Sequence, residues 1–232
     1  MRESGDWLAD RVARSLDRVG LLGNGIGGLI VGGFLLFLFP TTVSDEDFDR
    51  LMGISIPVFA VLMPVFLVLG RAWSIRRSQP VIDWLRSGRP AGEDERRAVL
   101  RFPLEFAGIA AVFWALGALV FSAIWLDAGW VAADALGTTV VLGGLSAGAL
   151  QYLLVERTLR PVAGRALAGG PPPDLPVPGV ATRMTMAWLL ATGVPVLGIA
   201  GFAIADLSGA DLDRDQLILA SLFLATRLSQ SA

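Results

Sequence analysis

From Gly20 to Phe39 the chain reads GLLGNGIGGLIVGGFLLFLF, without one ionisable side chain. At about 1.5 Å per residue, such a stretch is as long as the hydrocarbon core of a bilayer is thick. In hydrocarbon every backbone polar group has to be satisfied within the protein, so an isolated stretch of this kind has to be helix. Comparable stretches return at about 51–69, 106–126, 130–155 and 184–205, and another begins at 216–226. The fold class that follows is all-α: a polytopic transmembrane helical bundle of five spans plus a truncated sixth. The chain is expected to stop inside that sixth span.

The polar segments complete the plan. Residues 1–19 carry Leu8, Val12, Leu16 and Val19 at helical spacing, with Arg11, Arg14 and Arg18 on other faces. They read as an amphipathic helix, cytosolic or lying in the membrane interface. They do not read as a cleavable signal peptide, because charge is mixed into the segment. Loops 70–105 and 156–183 are the long polar intervals. In the first, a short helix, a Gly/Pro turn and a second helix opening at Glu93-Asp94-Glu95 are expected, the last feeding through Phe102-Pro103 into the third span. The link Asp127-Ala128-Gly129 makes the third and fourth spans a hairpin, with Trp125 and Trp130 bracketing it as interfacial aromatics do. Pro57, Pro64 and Pro195 are expected to bend the spans that hold them.

Arginine sets the orientation. Arg2, Arg11, Arg14 and Arg18 precede the first span. Arg71, Arg76, Arg77, Arg86, Arg89, Arg96, Arg97 and Arg101 fill the 70–105 loop, and Arg157, Arg160, Arg165 and Arg183 the 156–183 loop. The alternate links hold only Arg50 and Arg214. The positive-inside rule therefore places the N-terminus and both long loops in the cytosol of a multi-pass protein of the inner (plasma) membrane. Anionic lipid headgroups are the partners that juxtamembrane arginines call for, and no nucleic acid is needed to explain them.

Composition excludes much chemistry. The chain has no cysteine and no histidine, and all its basic residues are arginine. Thiolate, imidazole and lysine Schiff-base mechanisms are thereby excluded. Asp45, Glu46, Asp47 and Asp49 are acidic neighbours, but their spacing fits no EF-hand loop. GNGIGG lacks the strand that a dinucleotide fingerprint requires. The expectation is no catalytic, cofactor-binding or metal residue, and no cofactor. Small residues four apart, Gly28 with Gly32 and Gly144 with Gly148, are candidate helix-packing positions.

The segment ERTLRPVAGRALAGGPPP, Glu156 to Pro173, carries the remaining signal. It is expected to prolong the fourth span as a helix to about Ala168, with Pro161 kinking it at the membrane surface, Gly169-Gly170 ending it and Pro171–Pro173 stiffening the exit. With GRPAGEDERRAVLRFP at 88–103, LLVERTLRPVAGRALAGGPPP at 153–173 and GVATRMTMAWLLATGVPVLGI at 179–199, the chain resembles the N-terminal six-transmembrane region of actinobacterial, mycobacterial-type class III adenylate cyclases. In that family the membrane region is followed by a HAMP linker and a cyclase domain, and both are absent from this sequence. The resemblance thus implies a membrane anchor or sensory-regulatory domain of an adenylate cyclase-like protein, itself not an enzyme. It also implies a homodimer and a HAMP/cyclase module that is separate or lost. Glu105, Glu156 and Arg160 match the family's membrane-region motifs, which are not catalytic positions. Glu156, Arg160, Pro161, Gly170, Pro171, Trp188 and Pro195 are the candidate structural or relay residues. The alternatives are a small helical transporter and a stand-alone membrane assembly subunit.

Overall fold

The structure is a computed structural model and describes residues 2–37, 43–168, 180–194 and 196. Among these there is no strand. Four long helices dominate: α1 (Arg2–Phe37), α2 (Asp45–Ser87), α3 (Glu93–Trp125) and α4 (Trp130–Leu167). A short helix, α5 (Val180–Trp188), runs into one π-turn at Leu189–Gly193. Each of the four long helices is long and apolar enough to cross a membrane. The protein is therefore an all-α, multi-pass membrane bundle. The partial span at 216–226, the second half of the fifth span after Val196, and Gly170, Pro171 and Pro195 lie outside the described residues.

The helices are longer than the spans. α2 has 43 residues and α4 has 38, so at about 1.5 Å per residue each exceeds the hydrocarbon thickness and projects beyond it. The amphipathic N-terminal segment is continuous with the first span in α1. The separate short helix expected after residue 71 is instead the prolongation of α2 to Ser87, through Pro57, Pro64 and Pro80. Gly88 then takes φ 70°, a left-handed C-cap that suits glycine. The Trp84 indole donates to the Arg89 carbonyl at 3.0 Å across the turn. α3 opens where its acids predicted, with the Gly92 N–H donating to Glu95 at 2.9 Å. Arg89 also hydrogen-bonds Glu95, and this holds the Glu95 carboxyl below its ordinary range.

Packing is a ring in the order α1, α4, α3, α2, with α4 making the closest contacts, to both α1 and α3. Two apolar clusters occupy its ends. At the arginine-rich end, Val12 and Leu16 of α1, Val81 and Leu85 of α2, Phe102 of α3 and Val162 of α4 belong to one buried cluster. The N-terminal stripe Val12, Leu16 and Val19 is thus buried among helices. At the far end, Leu51, Trp125, Ala132, Leu136 and Val140 form the second. Trp125 is 0% exposed and donates from its indole to Ser55 Oγ at 3.0 Å. It is therefore a core residue, and the interfacial role expected from its place beside the hairpin link belongs to the exposed Trp130 alone.

Candidate relay site at the arginine-rich end

Glu156 stands on α4 where the helix leaves the apolar stretch. Its carboxylate accepts from Arg160 of the next turn, at 3.2 Å and 3.3 Å, and lies 3.5 Å from Arg183 of α5. One acid thus joins its own helix to the start of the next described one. Tyr152, one turn earlier, is buried. Arg160 is mostly exposed, while Leu159 and Val162 beside it are buried. Pro161 lies inside α4, which continues to Leu167. Trp188 is exposed at the end of α5, immediately before the π-turn. Of the proposed relay residues within the described part, the structure brings Glu156 and Arg160 together, with Arg183 as the third member. Gly170, Pro171 and Pro195 are outside it.

A second charged tie joins the middle helices. Arg77 of α2 grips Glu105 of α3 through two hydrogen bonds, 2.5 Å and 2.6 Å. The planar guanidinium matches a carboxylate in this bidentate form. Arg86 meets Asp10 of α1 at 3.1 Å, and Arg71 meets Asp17 at 3.4 Å. At the opposite end Arg50 bridges Asp47 and, at 2.6 Å, Asp127 of the hairpin link. Exposed pairs contribute about 0–1 kcal/mol each. Together they tie α2 to α3, to α1 and to the hairpin link.

The glycines divide in an unexpected way. A Cβ built on Gly28 or Gly32 would meet nothing within 4 Å, so both face open space. Close helix contact falls on Gly23, against Gln151, and on Gly27, against Trp114 and the Gly143 carbonyl. Gly144 packs on Trp114, and a Cβ on Gly148 would lie 3.8 Å from the Ala107 carbonyl. Polar side chains support the same seam. Asn24 donates to the Gly20 carbonyl at 2.8 Å and accepts from the Trp114 indole at 3.0 Å. Gln151 is 1% exposed, and its Oε1 has no hydrogen-bond partner. Asn24 and Gln151 escaped the sequence reading, although an amide inside a charge-free span is a signal of a helix–helix partner. Among the described residues no cluster of His, Cys, Asp and Glu could hold a metal ion.

Curated proteins similar to this chain are longer than it. The uncharacterized protein Rv1320c of Mycobacterium tuberculosis is 31% identical over 233 residues, covering 95% of this chain and 40% of that protein. The uncharacterized protein MT1359 of the same species is 30% identical over 237 residues, covering 95% and 42%. The uncharacterized protein Mb1353c of Mycobacterium bovis is 28% identical over 235 residues, covering 95% and 43%. The chain therefore spans about two fifths of the length of these curated relatives. No family model and no solved structure matches the chain.

Proposed function

We propose that this chain is the membrane anchor and sensory-regulatory region of an adenylate cyclase-like protein, and that the catalysis belongs to a HAMP/cyclase module outside it. The observation that carries this reading is the coverage: nearly the whole chain aligns with relatives more than twice as long. The sequence resemblance supplies the nature of the missing part. In this reading the arginine-rich end faces the cytosol, five spans and a partial sixth cross the membrane, and the working unit is a homodimer. Signals pass as shifts of α4 and α5 about the Glu156–Arg160–Arg183 contact. The transporter alternative is weaker, because among the described residues the slot inside the bundle carries charged side chains, Asp17 and Arg71, only at one end.

The test is a fusion in which a HAMP–cyclase module follows a completed sixth span. Cyclic AMP output is compared between the parent, Glu156→Gln and Pro161→Ala at matched membrane expression. The expected result is a change of about twofold or more in basal or stimulated output, corresponding to about 0.4 kcal/mol of shifted equilibrium. The chain alone should form no cyclic AMP. Equal output from all three fusions would refute the relay, and activity of the unfused chain would refute the assignment of catalysis elsewhere.

A further inference from the structure

Among the described residues, the bundle is not filled between the two apolar clusters. A slot of about 600 Å³ runs along it, from Leu16, Asp17, Arg71 and Ser74 at one end to Leu35 and Trp125 at the other. From Leu16 to Leu35 is about 29 Å along α1 at the helical rise, and the side chains between them are almost all apolar, so the slot is elongated and suited to an alkyl chain. The seam between α2 and α3 is shut by Phe66 stacked on Phe113, centroids 4.9 Å apart, and by Gly70 against the Phe113 ring. The seam between α1 and α2 is tied at the arginine-rich end by Arg71–Asp17 and Arg86–Asp10. Further along, Gly28 and Gly32 present no side chain, and Leu21 and Ile56, both lining the slot, are 65% and 59% exposed. The mouth therefore opens sideways between α1 and α2, toward the hydrocarbon these helices cross.

We infer that this slot holds the acyl tail of a bilayer phospholipid whose phosphate is bound at Arg71. Empty space beside packed side chains forfeits dispersion contacts, and a tail entering from the bilayer restores them with no water to remove. The charge at the slot's end fits the head. Arg71 is 66% exposed, and its ion pair with Asp17 is a single 3.4 Å approach, which leaves guanidinium donors for a phosphate. A hydrocarbon core is about 30 Å thick, so a tail from the leaflet at the Arg71 end occupies the nearer half of the slot. The occupant is a lipid taken from the membrane, and the inference does not depend on what effector the chain serves.

The protein is reconstituted in nanodiscs with a trace of phosphatidylglycerol bearing a diazirine in its acyl tail, irradiated, and mapped by peptide mass spectrometry. Labelling is expected at Met63, Phe66 and Phe113, which line the part of the slot nearer Arg71, and excess unlabelled phospholipid should compete it away. Gly28→Leu, which blocks the slot near its middle, should lower that labelling about tenfold. Gly53→Leu, on a glycine also facing open space but away from the slot, should leave it unchanged. Arg71→Gln should lower labelling by the phosphatidylglycerol probe about fivefold while sparing a neutral diacylglycerol probe, the difference of about 1 kcal/mol reporting the phosphate contact. The Arg71 arm stands even where Gly28→Leu fails to fold. Equal labelling in parent and Gly28→Leu would overturn the tail site, and an equal effect of Arg71→Gln on both probes would overturn the phosphate contact. A disulfide between Gly28→Cys and Leu222→Cys, clean in a chain without native cysteine, would show the chain's own C-terminal segment in the slot and equally overturn it.

Discussion

Gly27→Ala and Gly28→Ala differ by one position and should differ sharply in stability. Both substitutions replace a helical glycine by alanine, which favours the helix by about 1 kcal/mol in either place. At Gly28 the new methyl meets nothing within 4 Å. At Gly27 it would lie 2.5 Å from the Trp114 ring and 2.8 Å from the Gly143 carbonyl. Neither obstacle is the loose end of a flexible side chain: one is an indole held by Asn24, the other is backbone. α1 has to move off α4, and overpacking of this kind costs about 1–3 kcal/mol. The propensity gain cancels in the comparison, so Gly27→Ala should be the less stable variant by about that amount. Reversible unfolding in mixed micelles, followed by tryptophan fluorescence, measures the difference. Gly143→Ala is the partner test, since its Cβ would meet the Gly27 carbonyl at 3.0 Å. The double variant should cost less than the sum, because the first methyl has already opened the seam the second one strains. Equal stability of Gly27→Ala and Gly28→Ala, within about 0.5 kcal/mol, would refute the close approach of α1 and α4.

Two further outcomes are expected. Asn24→Leu removes the acceptor of the partly buried Trp114 indole and should destabilise the protein by about 0.6–1.7 kcal/mol in the same unfolding measurement, from the average to the largest value found for hydrogen bonds between membrane helices. Cysteines introduced singly at Ser87 and Ser44, both exposed, should be labelled by an impermeant thiol reagent from opposite sides of the membrane. Labelling of Ser87→Cys from outside intact cells, with Ser44→Cys protected, would reverse the proposed orientation.

What the sequence disclosed follows from what a membrane forces on a chain. Charge-free stretches have to be helices, so the class and the α1–α4 spans could be read from residue type alone. The αL glycine, the acids of the first turn of α3 and the tight Asp127-Ala128-Gly129 link are local signals and were legible for that reason. The rotation of each helix about its axis was not. Gly27 and Gly28 are indistinguishable by spacing, since both have small residues four positions away, and only the partner helix decides which one is crowded. Trp125 illustrates the same point: proximity to a link suggests an interface, but its facing places it in the core with Ser55 and Phe48. The Arg77–Glu105 pair joins residues 28 apart in sequence, with nothing local to announce it.

One face of α1 shows how a single helix serves two solvents. Ala9, Val12, Leu16 and Val19 are buried among the other helices, and three or four residues further on the same face continues as Gly23 and Gly27. The residue type changes where the charge-free stretch begins. Outside the bilayer, burial of apolar surface drives association, so the stripe is made of side chains with area to bury, packed in one cluster with Val155, Leu159, Val162 and Ala166 of α4. Inside the bilayer, lipid is as apolar as leucine and burial gives no advantage, so close approach of backbones and hydrogen bonds has to replace it. Glycine permits the approach, and Asn24 and Gln151, which both bond to the Gly20 carbonyl, supply the polar contacts at the boundary. α1 and α4 are therefore joined continuously from the arginine-rich end into the membrane, by two different forces along one line. A displacement of α1 is thus passed to α4 along the whole seam, a coupling that the proposed relay at Glu156 requires.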